Sequence, residues 1–461
     1  MIQTDVKSLT DVLRDAVESA KDKQAPQLLS YTKEIENVDP FLFFHQANQI
    51  EGDRVFWSRS EENFYLVGAG DAYSIASEGH HFNDIERKWT SLLSNAIVQN
   101  IHRAPGTGPI AFGGFSFDPK KDKKTLWKNF SDSQFRVPAY LLTIVHNRSF
   151  LTVNIVARKE DHPEQLHYEI ETNKVLLTNS DVTLPDGPTI ELKTEIGSDC
   201  WKETVKNATD LIQKGFANKI VLAREMRLSF KNRAVVSPVL KQLSETQSNS
   251  YIFAFENGPD CFLGATPERL VRIEDRQLFS TCLAGTAPRG KTKEEDERIG
   301  FELLHDEKNR AEHEFVVKMI REAVAACCEA IDIPEKPRVY PLRNLQHLHT
   351  PVRAQLKEGY SIFDVIQRLH PTPALGGLPR DTSLAFIRAE EQMDRGWYGA
   401  PIGWMDANDN GEFAVAIRSA LIQGKEATLF SGCGVVKDST PEAEYQETAI
   451  KFTPMLSVLG G

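Results

Sequence analysis

The apolar positions of this chain change period repeatedly, and each change marks an element. Over residues 8–23, Leu9, Val12, Leu13, Ala16 and Val17 recur every three or four residues and predict an amphipathic helix. Runs rich in aromatic and branched residues at 27–31, 54–57 and 64–68 read as strands. Residues 82–101 carry a helical pattern. Residues 109–119 read as a strand bent at Gly113-Gly114, and 138–146 with 150–156 as a hairpin around His146-Asn147-Arg148. The Thr-, Asp-, Pro- and Gly-rich stretch 172–199 reads as a connector. Beyond it come a helix at 199–216, a strand at 218–228, and β segments at 251–256, 261–265, 268–273 and 278–283. Thr292 and Glu295 frame a capping box for a helix reaching Leu304, and another helix is expected from Asp306 to about Ala330. Leu345–Thr350 read as the end of a strand, 369–379 as a loop wall, 395–404 as an aromatic strand, and 413–422 as one strand interrupted by Arg418. Thr440-Pro441 start a last, short helix that the pattern ends near Pro454.

Polar residues that break these patterns are the candidates for chemistry. Lys219 alternates in line with Val221 and Ala223, either snorkelling from a sheet edge or lining a cavity. Glu312 extends the stripe of Val316, Ile320, Ala323, Val324 and Cys327 by one turn, where a carboxylate needs a salt bridge or a metal. Glu268 stands at a strand start after Gly264-Ala-Thr-Pro. The run Thr281–Thr286 closes a strand at Gly285, where backbone N–H groups can face a ligand. Arg418 in an apolar strand calls for a carboxylate partner, from protein or ligand. In the last helix Glu444, Glu447 and Lys451 fall on one face, close behind Gly432-Cys-Gly434, either as a solvated ion pair or as ligands. His347 is a hydrogen-bonding candidate. Gly68-Ala-Gly70 lacks the third glycine and the βαβ context of a nucleotide loop.

Composition narrows the partners. The chain has 461 residues, 41% hydrophobic and 26% charged, with a formal net charge of -11, which argues against nucleic acid. The six cysteines all follow residue 199 and form no Cys-x-x-Cys, as expected of reduced thiols in a cytoplasm rather than a disulfide framework or zinc site. Met1–Gln24 lack an apolar signal core, and no run is long enough to cross a bilayer, so a soluble cytoplasmic protein is expected. Residues 1–190 read as scaffold and 191–461 as the catalytic part, together one compact domain. Three helical carboxylates suit a hard cation such as Mg²⁺; Lys219 and Glu268 suit a base and an acid; Arg418 and Lys451 suit an anionic small molecule.

The motifs Lys219-Ile-Val-Leu-Ala-Arg224, Gly264-Ala-Thr-Pro-Glu-Arg-Leu270, Leu283-Ala-Gly-Thr286, Glu307-Lys-Asn-Arg-Ala-Glu-His313, His370-Pro-Thr-Pro-Ala-Leu-Gly376, Ala416-Ile-Arg418 and Glu444-Tyr-Gln-Glu-Thr448 resemble those of the chorismate-utilising enzymes. Within that family the chain looks like isochorismate synthases of the menaquinone-pathway type. The resemblance implies an α+β fold of the anthranilate-synthase-component-I kind: two large, mostly antiparallel sheets packed face to face, helices outside. It implies Mg²⁺ as cofactor and chorismate as substrate, in a monomer or weak homodimer. Lys219 would deprotonate the water attacking C2, and Glu268 would protonate the departing C4 hydroxyl. Glu312 and Glu447 would bind Mg²⁺, with Glu444 a ligand directly or through water. Tyr398, Arg418 and Lys451 would bind carboxylate, aided by amides at Gly285 and Gly434. His347 would sit near the C4 hydroxyl, with Ala374 and Leu375 as wall. A base lysine needs a lowered pKa, which burial and nearby cations favour. Lys219 argues for water rather than ammonia as nucleophile. Salicylate synthases share Lys and Glu and are the nearest alternative, followed by siderophore-pathway isochorismate synthases and a non-catalytic metal-binding paralogue.

Overall fold

The computed structural model describes residues 7–79, 82–122, 125–341 and 345–461; the first six residues of the N-terminal reading lie outside it. Its strands form one hydrogen-bonded network that forks at Ser133–Val145. Phe64–Ser77 lies along one edge of that strand, while Arg148–Ala157 and Ile110–Phe115 share the other. The first limb continues through Arg54–Arg59, Tyr251–Asn257, Asp260–Thr266, Ser419–Gln423 and Glu426–Val435 to Lys219–Phe230. The second runs from Ile110–Phe115 through Pro401–Asp406, Gly411–Val415, Arg269–Glu274 and Gln277–Pro288 to Leu345–Leu356. These pairings are antiparallel; Gln27–Ile35 against Ile97–Gln99 is parallel. Both limbs begin with strands from before residue 190 and continue with strands from after it, so one hydrogen-bonded network spans the two parts of the chain.

Side-chain alternation explains how the limbs pack. Trp57, Phe253, Phe255, Phe262 and Leu421 of the first limb share an aromatic core with Phe112, Ile402, Trp404 and Ala414 of the second. Their sequence neighbours point the other way. Phe56, Ile252, Ala254 and Leu263 pack on helices Leu9–Lys23, Pro40–Gln46, Val236–Thr246 and Pro441–Val458. Ala111, Met405, Phe413 and Leu278 pack beneath helices Phe82–Ser94, Glu307–Ala325 and Ile362–Leu369. The result is two mostly antiparallel sheets face to face with helices outside, as the motifs implied. Among the described residues no helix is long and apolar enough to cross a membrane.

Several elements depart from the sequence pattern, each for a tertiary reason. The helix starting at Phe82 stops at Ser94, because Ile97–Gln99 finds an open edge beside Gln27–Ile35. The supposed connector holds the end of helix Pro163–Leu177 and an edge strand, Ile190–Glu195, on Lys219–Phe230. The helix read to Ala330 ends at Ala325, and Cys328–Asp332 joins the sheet beside Leu345–Leu356. Leu345–Thr350 therefore begin a strand rather than end one. The aromatic strand starts only at Pro401, after a turn at 395–400. The stretch 413–422 is two strands, one in each limb. The last helix continues through Pro454 to Val458, its lost N–H offset by burial of Phe452, Met455 and Val458.

Phe255, fully buried between the sheets, meets the Trp397 ring at 4.9 Å and the Phe112 ring at 6.2 Å. Phe255→Ala should lower unfolding free energy by about 3–5 kcal/mol in urea titration; a loss below about 1 kcal/mol would mean that the inter-sheet layer is not the core.

Candidate active site

Two adjacent chain segments change sheet at the same level. Asp260–Thr266 belongs to the first limb and Arg269–Glu274 to the second; their partners Ser419–Gln423 and Gly411–Val415 divide in the same way. Glu268 lies at one crossing and Arg418 at the other. Val415 N–H donates to Glu268 O at 3.0 Å, and Ala265 N–H to Arg418 O at 3.0 Å, so each crossing is tied to its neighbour. Arg418 has φ 52°, a left-handed conformation uncommon outside glycine, held here by both sheets.

A cavity of about 420 Å³ opens at this seam, and all thirteen candidate residues line it: Lys219, Glu268, Gly285, Glu312, His347, Ala374, Leu375, Tyr398, Arg418, Gly434, Glu444, Glu447 and Lys451. A roomier cavity of about 960 Å³, beside Trp201, Arg224 and Asp260, holds none of them; Asp260 there is already satisfied by Asn129 and Gln423, each at 2.8 Å. The smaller cavity has the chemistry.

Lys219 starts the strand Lys219–Phe230, whose Val221 pairs with Gly434. A Cβ on Gly434 would stand 2.5 Å from Lys219 Cε, so glycine there leaves room for the lysine stem. Lys219 Nζ meets Glu312 Oε1 at 2.6 Å, across from the helix Glu307–Ala325. On the last helix Lys451 Nζ lies 2.6 Å from Glu447 Oε1 and donates to Gly432 O at 3.0 Å. Ser439 Oγ donates to Glu444 Oε1 at 2.6 Å, while Glu444 Oε2 is buried and, among the described residues, meets no hydrogen-bond partner. Thr440 caps that helix through Ala443 N–H, as its sequence implied.

The strand expected to close at Gly285 instead runs on to Pro288. It bulges between Ala284 and Thr286 with Gly285 at φ 80°, which turns backbone toward the cavity without ending the ladder. His347 Nδ1 lies 3.0 Å from Thr286 Oγ1, and Asn309 Oδ1 accepts from Thr286 N–H at 3.3 Å. Tyr398 stacks on Phe430 at 5.4 Å. Asn309, Ser439 and Thr286 escaped the sequence reading as site residues. Asn309 stands three residues before Glu312 and so on the same helical face, a signal that was available. Ser439 precedes its helix and gave none.

Burial sets the electrostatics. It raises the Glu268 carboxyl to about 7, against the opposing pull of Lys219, Arg418 and Lys451. Burial with the Arg418 charge lowers His347 to about 4, leaving its imidazole neutral at pH 7. Burial also raises Tyr398 and Glu444 and lowers Arg418. Among the described residues no three His, Cys, Asp or Glu side chains come together as a group that could hold a metal ion. Glu312, Glu444 and Glu447 line the cavity singly, and carboxylate oxygens of this kind are what a Mg²⁺ ion would take, with several positions left to water and ligand. The orphaned oxygen of Glu444 is what such a cation would satisfy. All six cysteines are free thiols.

Comparison with known proteins places this geometry. The isochorismate synthase MenF of Bacillus subtilis is 40% identical over 468 residues, covering 100% of this chain and 99% of that protein. The salicylate biosynthesis isochorismate synthase of Pseudomonas aeruginosa is 34% identical, covering 98% and 95%. The solved menaquinone-specific isochorismate synthase MenF of Escherichia coli superposes with a TM-score of 0.79 at 24% identity, covering 97% of this chain and 100% of that one. Anthranilate synthase component I of Streptococcus pneumoniae superposes at 0.71 and 21% identity, covering 86% and 92%, so the fold is common to both. The family model described as chorismate binding enzyme matches residues 15–460, and the chain belongs to that family of chorismate-binding enzymes.

Proposed function

We propose that this chain is an isochorismate synthase, interconverting chorismate and isochorismate at the head of a menaquinone branch. The observation that carries the reading is a lysine and a carboxyl raised to about 7, Lys219 and Glu268, sharing one cavity with the cations Arg418 and Lys451. The full-length likeness to the Bacillus subtilis MenF enzyme supports it.

Chorismate carries two carboxylates, and Arg418, Lys451 and Tyr398, with amides at Gly285 and Gly434, are the groups that would hold them. Lys219 takes a proton from water as its oxygen bonds to C2. The ring double bonds shift, the C4–O bond breaks, and Glu268 gives its proton to the leaving hydroxyl. One water enters and one leaves, and the proton returns from lysine to glutamate through solvent. Lys219 accepts that proton as a free amine, which can keep an N–H donated to Glu312, 2.6 Å away, while its lone pair faces the water. Neutral His347 is placed to hydrogen-bond the C4 hydroxyl, while Ala374 and Leu375 bound the ring. Glu312, Glu447 and Glu444 are the residues we propose for Mg²⁺; when bound, that ion would supply positive charge to fix and polarise the ring carboxylate. Five buried free thiols support a reducing, cytoplasmic setting. We take the chain to be a monomer or weak homodimer.

With chorismate and Mg²⁺, chromatography should show isochorismate as the main product; salicylate with pyruvate would overturn the assignment. Lys219→Ala should cut turnover at least a hundred-fold while chorismate still binds by calorimetry, and near-normal turnover would remove lysine from its role. Because Glu268 must be protonated and Lys219 free of its proton to act, the forward rate should pass through a bell-shaped optimum with pH, and a purely monotonic profile would contradict the acid–base pair. Glu268 also gives a stability test. Its folded pKa lies above the ordinary 4.5, so the stability it contributes is full below about 4.5 and is lost as pH rises through about 7. Glu268→Gln should therefore gain melting temperature relative to the parent between pH 5 and pH 8, and a constant difference would contradict its raised pKa.

A further inference from the structure

The strand bearing Lys219 is incompletely paired where it matters most. One edge runs the full ladder against Glu426–Val435; on the other, Lys219 and Ile220 pair with Leu378 and Gly377 and Met226–Phe230 pair with Ile190–Glu195, leaving the stretch 221–225 between them without a strand partner among the described residues. The next backbone groups on that edge, Val221 O and Ala223 N–H, are met by side chains. Arg395 Nη2 donates to Val221 O at 2.7 Å, and Glu391 Oε2 accepts from Ala223 N–H at 2.8 Å. The two side chains grip each other through two parallel bonds, Nε to Oε1 and Nη2 to Oε2, both 2.7 Å. Arg395 Nη1 also donates to Leu375 O at 3.1 Å, and Arg395 O accepts from Tyr398 N–H at 2.9 Å.

This is a buried ion pair: its side chains are 5% and 2% exposed, and the guanidinium is capped by the Phe117 ring at 4.3 Å. Desolvating both charges is costly, and an apolar pair of equal volume would often be no less stable. An apolar pair, however, could not satisfy Val221 O and Ala223 N–H, and could not fix the distance from the strand to Leu375. We propose that Glu391 and Arg395 are positioning residues that act as a missing strand, locking Lys219 in register with the Leu375 wall and Tyr398. The proposal rests on the reading of Lys219 as the base. Neither residue lines the proposed substrate cavity, so neither touches the reacting atoms. Arginine is required rather than lysine, because only a planar fork can meet the glutamate with two bonds while serving two carbonyls.

The test compares Arg395→Lys and Glu391→Gln with the parent and with Lys219→Ala, in full-length enzyme with Mg²⁺. Arg395→Lys keeps the charge and loses the fork. Glu391→Gln keeps the shape and an acceptor for Ala223 N–H. Both should remain folded by circular dichroism, bind chorismate within about three-fold, and lose at least ten-fold in kcat, Arg395→Lys more than Glu391→Gln. That kcat-specific loss is not expected of a merely stabilising pair, whose loss would lower the melting temperature with kcat intact. Parent-like kcat in folded variants, or a loss confined to KM, would overturn the proposal. If Lys219→Ala itself turns over normally, the base assignment fails first, separately from the clamp. If Arg395→Lys does not fold, Glu391→Gln decides alone by the same criterion.

Discussion

The constraint on which the rest depends is the double crossing between sheets at Pro267-Glu268 and Ala416–Arg418. A sandwich of two aromatic faces has no place for charge inside, since each ion would lose its hydration without a partner. Where two neighbouring segments leave one sheet for the other, the faces part and backbone groups are freed. The freed groups bond across the seam, Val415 N–H to Glu268 O and Ala265 N–H to Arg418 O. A carboxyl and a guanidinium are thereby held in a partly dehydrated cleft by backbone from both sheets.

That placement accounts for the electrostatic character of the cavity. Glu268 has no nearer outlet than the cavity itself, and burial raises its carboxyl despite three cations within reach. Glu312 and Glu447 stand on helices that rim the seam, where each meets a lysine at 2.6 Å. The cavity therefore has one glutamate on its sheet floor and others, paired with lysines, on its helical rim.

Support for the strand of Lys219 follows the same logic of freed backbone. Sheet edges usually end at solvent or at another strand, but this edge ends at an ion pair gripping Val221 and Ala223. Side chains can do what a strand would do, provided that both charges are paired and every donor is used.

Much of this was legible in the sequence, for identifiable reasons. Period-two alternation set which face of each strand is apolar, and Thr440-Pro441 announced the last helix. Lys219, Glu312 and Arg418 stood out because each interrupts an apolar pattern, which is costly unless a partner waits. Motif resemblance supplied the remaining candidates, including Ala374 and Leu375, which no pattern would have marked. Only the folded chain decided that Gly285 sits in a bulge rather than at a strand end, that residues 413–422 divide between two sheets, and that Ile97–Gln99 and Cys328–Asp332 are strands. Each of these depends on hydrogen-bond partners distant in sequence, which local pattern cannot register. Convergence of thirteen residues on one cavity, and the clamp of Glu391 on Arg395 behind it, are likewise decided by packing, because burial and pairing exist only once the sheets have closed.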